Sequence, residues 1–86
     1  MVDQEKWGER IFLFPNPAKT YVRISIPEGL ELLGSPELYD LQGRIVSELV
    51  SDGGERFRIS GDIAPAVYYL IIHNNQGEVY KRLVIE

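Results

Sequence analysis

The sequence predicts an all-β protein, an antiparallel β-sandwich of about seven strands. Short runs of β-branched and aromatic residues alternate apolar with polar positions, the period of a strand with one buried face. Turn-forming residues interrupt those runs at intervals of roughly eight to twelve residues, as sandwich hairpins require. No segment keeps the apolar spacing of a helix over a stable length. Leu30-Glu31-Leu32-Leu33 has helix-forming residues but is too short, and reads as a loop with one turn at most.

Arg10-Ile11-Phe12-Leu13-Phe14 is a short apolar strand ended by Pro15-Asn16-Pro17, where two prolines remove ladder donors and turn Phe14 and Asn16 away from helix. Thr20 to Ile26 alternates, with Val22, Ile24 and Ile26 inward and Tyr21, Arg23 and Ser25 outward, until Pro27-Glu28-Gly29 stops it. Residues 37–40 and 44–50 flank Leu41-Gln42-Gly43. In that connection Gly43 supplies the left-handed residue of a bulged hairpin, and Asp40 is placed to bond the turn's amides. Ser51-Asp52-Gly53-Gly54 turns the chain into residues 55–59, with Phe57 and Ile59 inward and Arg56 and Arg58 outward.

The segment from Asp62 to Ile72 organises the rest, because it joins a corner to the longest apolar and β-branched run in the chain. Apolar on both faces, it is expected to be the central strand, in the middle of a packed sheet with the other elements arranged around it. Tyr68 stands at its start, where in immunoglobulin-like sandwiches a tyrosine hydroxyl bonds back to the preceding corner. Leu70 and Ile72 continue the face of Tyr68. Asn74-Asn75-Gln76-Gly77 then turns the chain into a final strand over residues 78–85.

With 86 residues the chain makes one domain, able to bury only about 60–65% of its unfolded surface, so the core is thin. Residues 1–9 read as a linker or leader, with Trp7 as a stray contact or an end cap, and residues 10–86 as the domain. A hydrophobic share of 44% and a charged share of 26% exclude a disordered chain and a membrane-inserted one. A net charge of −4 disfavours nucleic acid, whose affinity comes from phosphate neutralisation by Lys and Arg. Without cysteine there is no disulfide framework and no thiolate metal site. Met1 to Lys6 lacks the apolar core of a signal peptide.

The inventory for catalysis is poor, and no enzyme is expected. His73, the only histidine, falls at the exit of the central strand on the face opposite Tyr68, and reads as a rim residue rather than a general base. Asp40, Asp52 and Asp62 lie in turns, where a carboxylate serves as acceptor for backbone amides. No cofactor and no metal are expected, since no dense Asp run of calcium-loop type exists. Tyr21, Tyr39, Tyr68, Tyr69 and Tyr80 suit the core or cross-strand pairs. An aromatic carbohydrate platform on a small adhesive or carbohydrate-binding module is the alternative. Arg56/Arg58 and Lys81/Arg82 read as a solvated outer face.

Three stretches in fixed order carry a more specific signal. Phe14-Pro15-Asn16-Pro17-Ala18, Leu38-Tyr39-Asp40-Leu41-Gln42-Gly43-Arg44, and Ile63 to Leu70 with a terminal Lys81-Arg82-Leu83-Val84-Ile85 together resemble the C-terminal sorting domain of type IX secretion cargo. The resemblance covers about residues 11–86. It implies a non-catalytic secretion signal that directs a covalently attached N-terminal cargo through the type IX outer-membrane translocon. A sortase-like surface peptidase would then remove it. The implied location is the periplasm in transit, then the outer-membrane surface or the extracellular space.

Carried over residue by residue, Pro15, Asn16 and Pro17 match the first motif, Gly43 and Arg44 the hairpin motif, and Tyr68 the late aromatic. Lys81, Val84 and Ile85 match the terminal strand. For Pro15, Gly43 and Tyr68 the structural roles of strand breaker, turn and corner stand first. For Arg44, Lys81 and the exposed side of the last strand, recognition by the translocon does. The last strand is expected to be an open edge that pairs with a partner sheet, with an edge-strand dimer as a further outcome. One departure is visible: Ala66 stands where the family carries glycine, which raises the question of a left-handed alanine at the corner.

Overall fold

The computed structural model describes residues 10–86; the linker or leader with Trp7 lies outside the described residues. Eight strands run in chain order: β1 Phe12–Phe14, β2 Tyr21–Ser25, β3 Glu37–Tyr39, β4 Ile45–Glu48, β5 Val50–Ser51, β6 Arg56–Arg58, β7 Ala66–Asn74 and β8 Gly77–Ile85. They form two four-stranded antiparallel sheets, ordered β1-β2-β6-β5 and β4-β3-β7-β8. No described residue is helical, and no helix is long and apolar enough to cross a membrane.

The eighth strand comes from the run over residues 44–50. Its β pattern is continuous, but the chain leaves the second sheet after Glu48 and joins the first at Val50. Leu49, only 1% exposed, is buried at that crossing, with its amide bonded to the Pro36 carbonyl at 2.9 Å. A run of strand-forming residues cannot show which sheet each half will pair with, which is why one strand was expected and two form.

The core lies between the sheets and is built by period-two alternation. Val22 and Ile24 of β2, Leu38 of β3, Phe57 of β6, Tyr68, Leu70 and Ile72 of β7, and Val79, Leu83 and Ile85 of β8 form one cluster. Ile26 packs against it only in part. The strand β7 is central, but it is covered on one face alone. Tyr69 is 44% exposed and Ile71 half-buried, because a two-layer sandwich leaves the outer face of each sheet to solvent. Its expected place inside the sheet, between β3 and β8, is the one observed.

Leu30 to Leu33 forms no helix. Leu32 makes an isolated bridge to Asn74, and the amide of Leu33 donates to the His73 carbonyl at 2.7 Å. Asn74, a buried polar residue 4% exposed, bonds the Ile72 carbonyl and the Gln76 amide, so its burial costs little. The loop therefore closes one end of the sandwich over the β7–β8 turn.

Candidate functional site

The edge of β8 is where the terminal strand meets the Pro15-Asn16-Pro17 segment. Both X-Pro bonds of that segment are cis. Asn16 Nδ2 donates to the Arg82 carbonyl at 3.1 Å, and the Val84 amide donates to Asn16 Oδ1 at 3.0 Å. A primary amide presents a donor and an acceptor side by side, so this side chain stands in for a strand backbone. Two residues on, the Ala18 amide donates to the Val84 carbonyl and the Glu86 amide to the Ala18 carbonyl, each at 2.8 Å. Ala18 itself is fully buried and bridges Ile85 in parallel.

These contacts correct the expectation of an open-sided final strand. Val84 directs both backbone groups away from β7, and alternation sends those of Glu78, Tyr80 and Arg82 the same way. The outer edge is thus covered from the Arg82 carbonyl to the Glu86 amide. Among the described residues, no backbone bond covers the outward groups of Glu78 and Tyr80 or the Arg82 amide. That part of the edge borders a cleft of about 370 Å³ between the two sheets, lined by Phe12, Leu13, Asn16, Tyr80 and Arg82.

Side chains of β8 divide by parity. Tyr80, Arg82 and Val84 share the outer face with Tyr69 of β7, whereas Val79, Leu83 and Ile85 enter the core. Lys81 belongs to the inner set, half-buried at the edge and also lining the cleft. An inward charge on an edge strand disfavours pairing with a foreign sheet. Ile85, 3% exposed, offers its side chain to the core alone.

The hairpin motif sits at the far strands of the same sheet. Gly43 adopts φ +84°, and its amide bonds the Asp40 carbonyl at 3.0 Å. Asp40 Oδ1 accepts the Gln42 amide at 2.9 Å and the Arg44 amide at 3.0 Å, while Arg44 Nε donates to Oδ2 at 3.1 Å. Backbone donation from Arg44, with help from Gln42 and the guanidinium, holds the Asp40 carboxyl below its ordinary value. Arg44 is engaged within its own turn, yet its side chain is 76% exposed. From there a shallow outer depression runs across Leu41, Tyr39, Tyr69 and Ile71 to Tyr80.

Tyr68 is buried, and its hydroxyl donates to the Ala64 carbonyl at the corner. No residue other than glycine has positive φ among the described residues, so Ala66 opens β7 without a left-handed backbone. Asp62 accepts from the Ser60 hydroxyl, and Asp52 faces Arg56 at 3.8 Å.

Sequence reasoning missed the surroundings of His73. The ring lies on the outer face of β7, with Nε2 2.6 Å from Glu37 Oε1 and Nδ1 3.2 Å from Glu78 Oε2. Loss of solvent and then the carboxylates of Glu37 and Glu78 push the Tyr39 phenol above its usual value. Glu78 faces His73 across the β7–β8 turn, whereas only the pairing of β3 with β7 brings Glu37 and Tyr39 to them, and nothing in the spacing signals that. Among the described residues no group of three or more His, Cys, Asp or Glu is placed to hold a metal ion.

Residues 12–86 match the family model of the secretion system C-terminal sorting domain. The chain belongs to that family. A search among curated proteins finds no match. The sorting domain is a secretion signal of type IX cargo, in a non-catalytic family. Membership implies engagement with the secretion machinery and delivery of its cargo to the cell surface or outside.

Proposed function

We propose that the type IX translocon reads this sorting domain at the clipped edge of β8 and across the outer face that continues from it to the β3–β4 turn. The supporting observation is the pair of Asn16 bonds to Arg82 and Val84, which joins the first and last motifs into one surface although 66 and 68 residues separate the partners. Pro15, Asn16 and Pro17 present the clip. Arg44, on the turn that Gly43 closes, and Val84 supply outward side chains. Lys81 and Ile85 act from the inner face, setting the position of the strand.

In this reading the domain rides at the C-terminal side of a cargo through the periplasm and binds the outer-membrane translocon. A sortase-like peptidase removes it when the cargo reaches the surface. Deleting residues 79–86 would also strip β7 of its partner at seven of its nine paired positions, so substitutions on the surface make the sharper test. With the chain fused to a periplasm-directed reporter, Arg44→Ala and Val84→Lys are expected to trap the reporter in the periplasm several-fold more than they lower the melting temperature of the domain. Normal export of both variants, or export losses that merely track stability, would reject the proposed surface.

A further inference from the structure

The other sheet carries a face that lies outside the surface proposed above. On β2 and β6 the outward residues are Tyr21, Arg23, Ser25, Arg56 and Arg58, and the register sets Arg23 directly opposite Arg56, with Arg58 two residues further along β6 opposite Tyr21. Like charges paired across strands destabilise a sheet. In a chain of net charge −4, three arginines converge here without compensation of equal size. Arg56 has local partners: its guanidinium lies 4.1 Å from the centroid of the Tyr21 ring, and Asp52 stands 3.8 Å away. Glu55, the other nearby carboxylate, faces the Ile26 amide at 3.4 Å. Arg23 and Arg58 have no carboxylate within ion-pair distance among the described residues.

Apolar surface borders the three cations. Phe14 pairs with Arg23 on one side and Val50 with Arg58 on the other, and these are 45% and 58% exposed. Arginine and aromatic residues together, with lysine and carboxylates absent from the strand positions of the face, make the composition of a protein-binding patch rather than of a solvated one. The guanidinium is weakly hydrated, stacks on aromatic rings and takes carboxylates in a two-pronged fork. We infer that the outer face of β1-β2-β6-β5 is a docking surface for an acidic polypeptide, whose carboxylates pair with Arg23 and Arg58 while Arg56, propped on Tyr21, completes the positive field.

Fluorescent poly-L-glutamate, titrated against the whole chain at low ionic strength, is the probe. Binding that weakens as salt is added, and that drops about tenfold in Arg23→Gln/Arg58→Gln, is the expected result. Arg23→Gln alone is expected to bind more weakly while its melting temperature stays level or rises, because the opposed charges are relieved. Should the double variant fold poorly, Arg58→Gln alone gives the same readout from an exposed position. No binding by the parent, equal binding by the variants, or a fall in melting temperature of Arg23→Gln that accounts for the loss would overturn the inference. Binding to heparin with none to poly-L-glutamate would also overturn it, in favour of a sulfated glycan.

Discussion

At Asp40 one carboxylate organises a whole turn, accepting the amides of Gln42 and Arg44 and the Arg44 guanidinium. All three bonds favour the charged form, so its pKa is lower in the folded chain than the ordinary 3.8. Lowering on folding means that the stabilisation is complete above the ordinary value and fades as pH falls through the lower folded one. Asp40→Ala is therefore expected to lose stability at neutral pH, with the gap to the parent narrowing in acid. Thermal unfolding from about pH 6 to about pH 2 checks this, and a gap that stays constant would contradict it. Tyr68 and Gly43 illustrate residues whose positions were legible beforehand, because a corner hydroxyl and a left-handed turn each need one residue type at one place. The Glu37 partner of His73 was not legible, since it lies across a strand pairing that the sequence leaves open.

Among the elements, β8 depends on a segment far from it in the chain. Its inner edge pairs with β7 in an uninterrupted register from Asn74–Gly77 to Ala66–Ile85, and the Asn74 to Gly77 turn announces that hairpin locally. The C-terminal half of its outer edge is covered by Asn16 and Ala18, and a proline-flanked asparagine in the sequence reads only as a turn. Asn16→Ala removes two hydrogen bonds, each contributing about 0.5–1.5 kcal/mol net, so a loss of about 1–3 kcal/mol is expected. The uncovered edge should also promote self-association, which ultracentrifugation over a range of concentrations detects. A variant that stays monomeric with unchanged denaturant midpoint would show that the clip does neither.

For the molecule as a whole, stability rests on a thin two-layer core, in which Leu38, Leu70 and Leu83 are wholly buried. Leu70→Ala is expected to cost about 2–5 kcal/mol, a large share of the roughly 5–15 kcal/mol typical of native domains. At about 4–8 °C per kcal/mol for a domain of this size, its melting temperature should fall by at least about 8 °C. A smaller fall would mean that the sheets close over the cavity. Alternation and turn residues determined the all-β class, the hairpins, the inward residues and the corner tyrosine, because each follows from a few neighbours in the chain. Only the tertiary structure decided that Leu49 crosses between sheets, that β7 has a solvent face, that Asn16 covers the last strand and that three arginines share one surface. Those outcomes depend on which strands become neighbours, and side chains far apart in sequence acquire their partners only when that pairing is made.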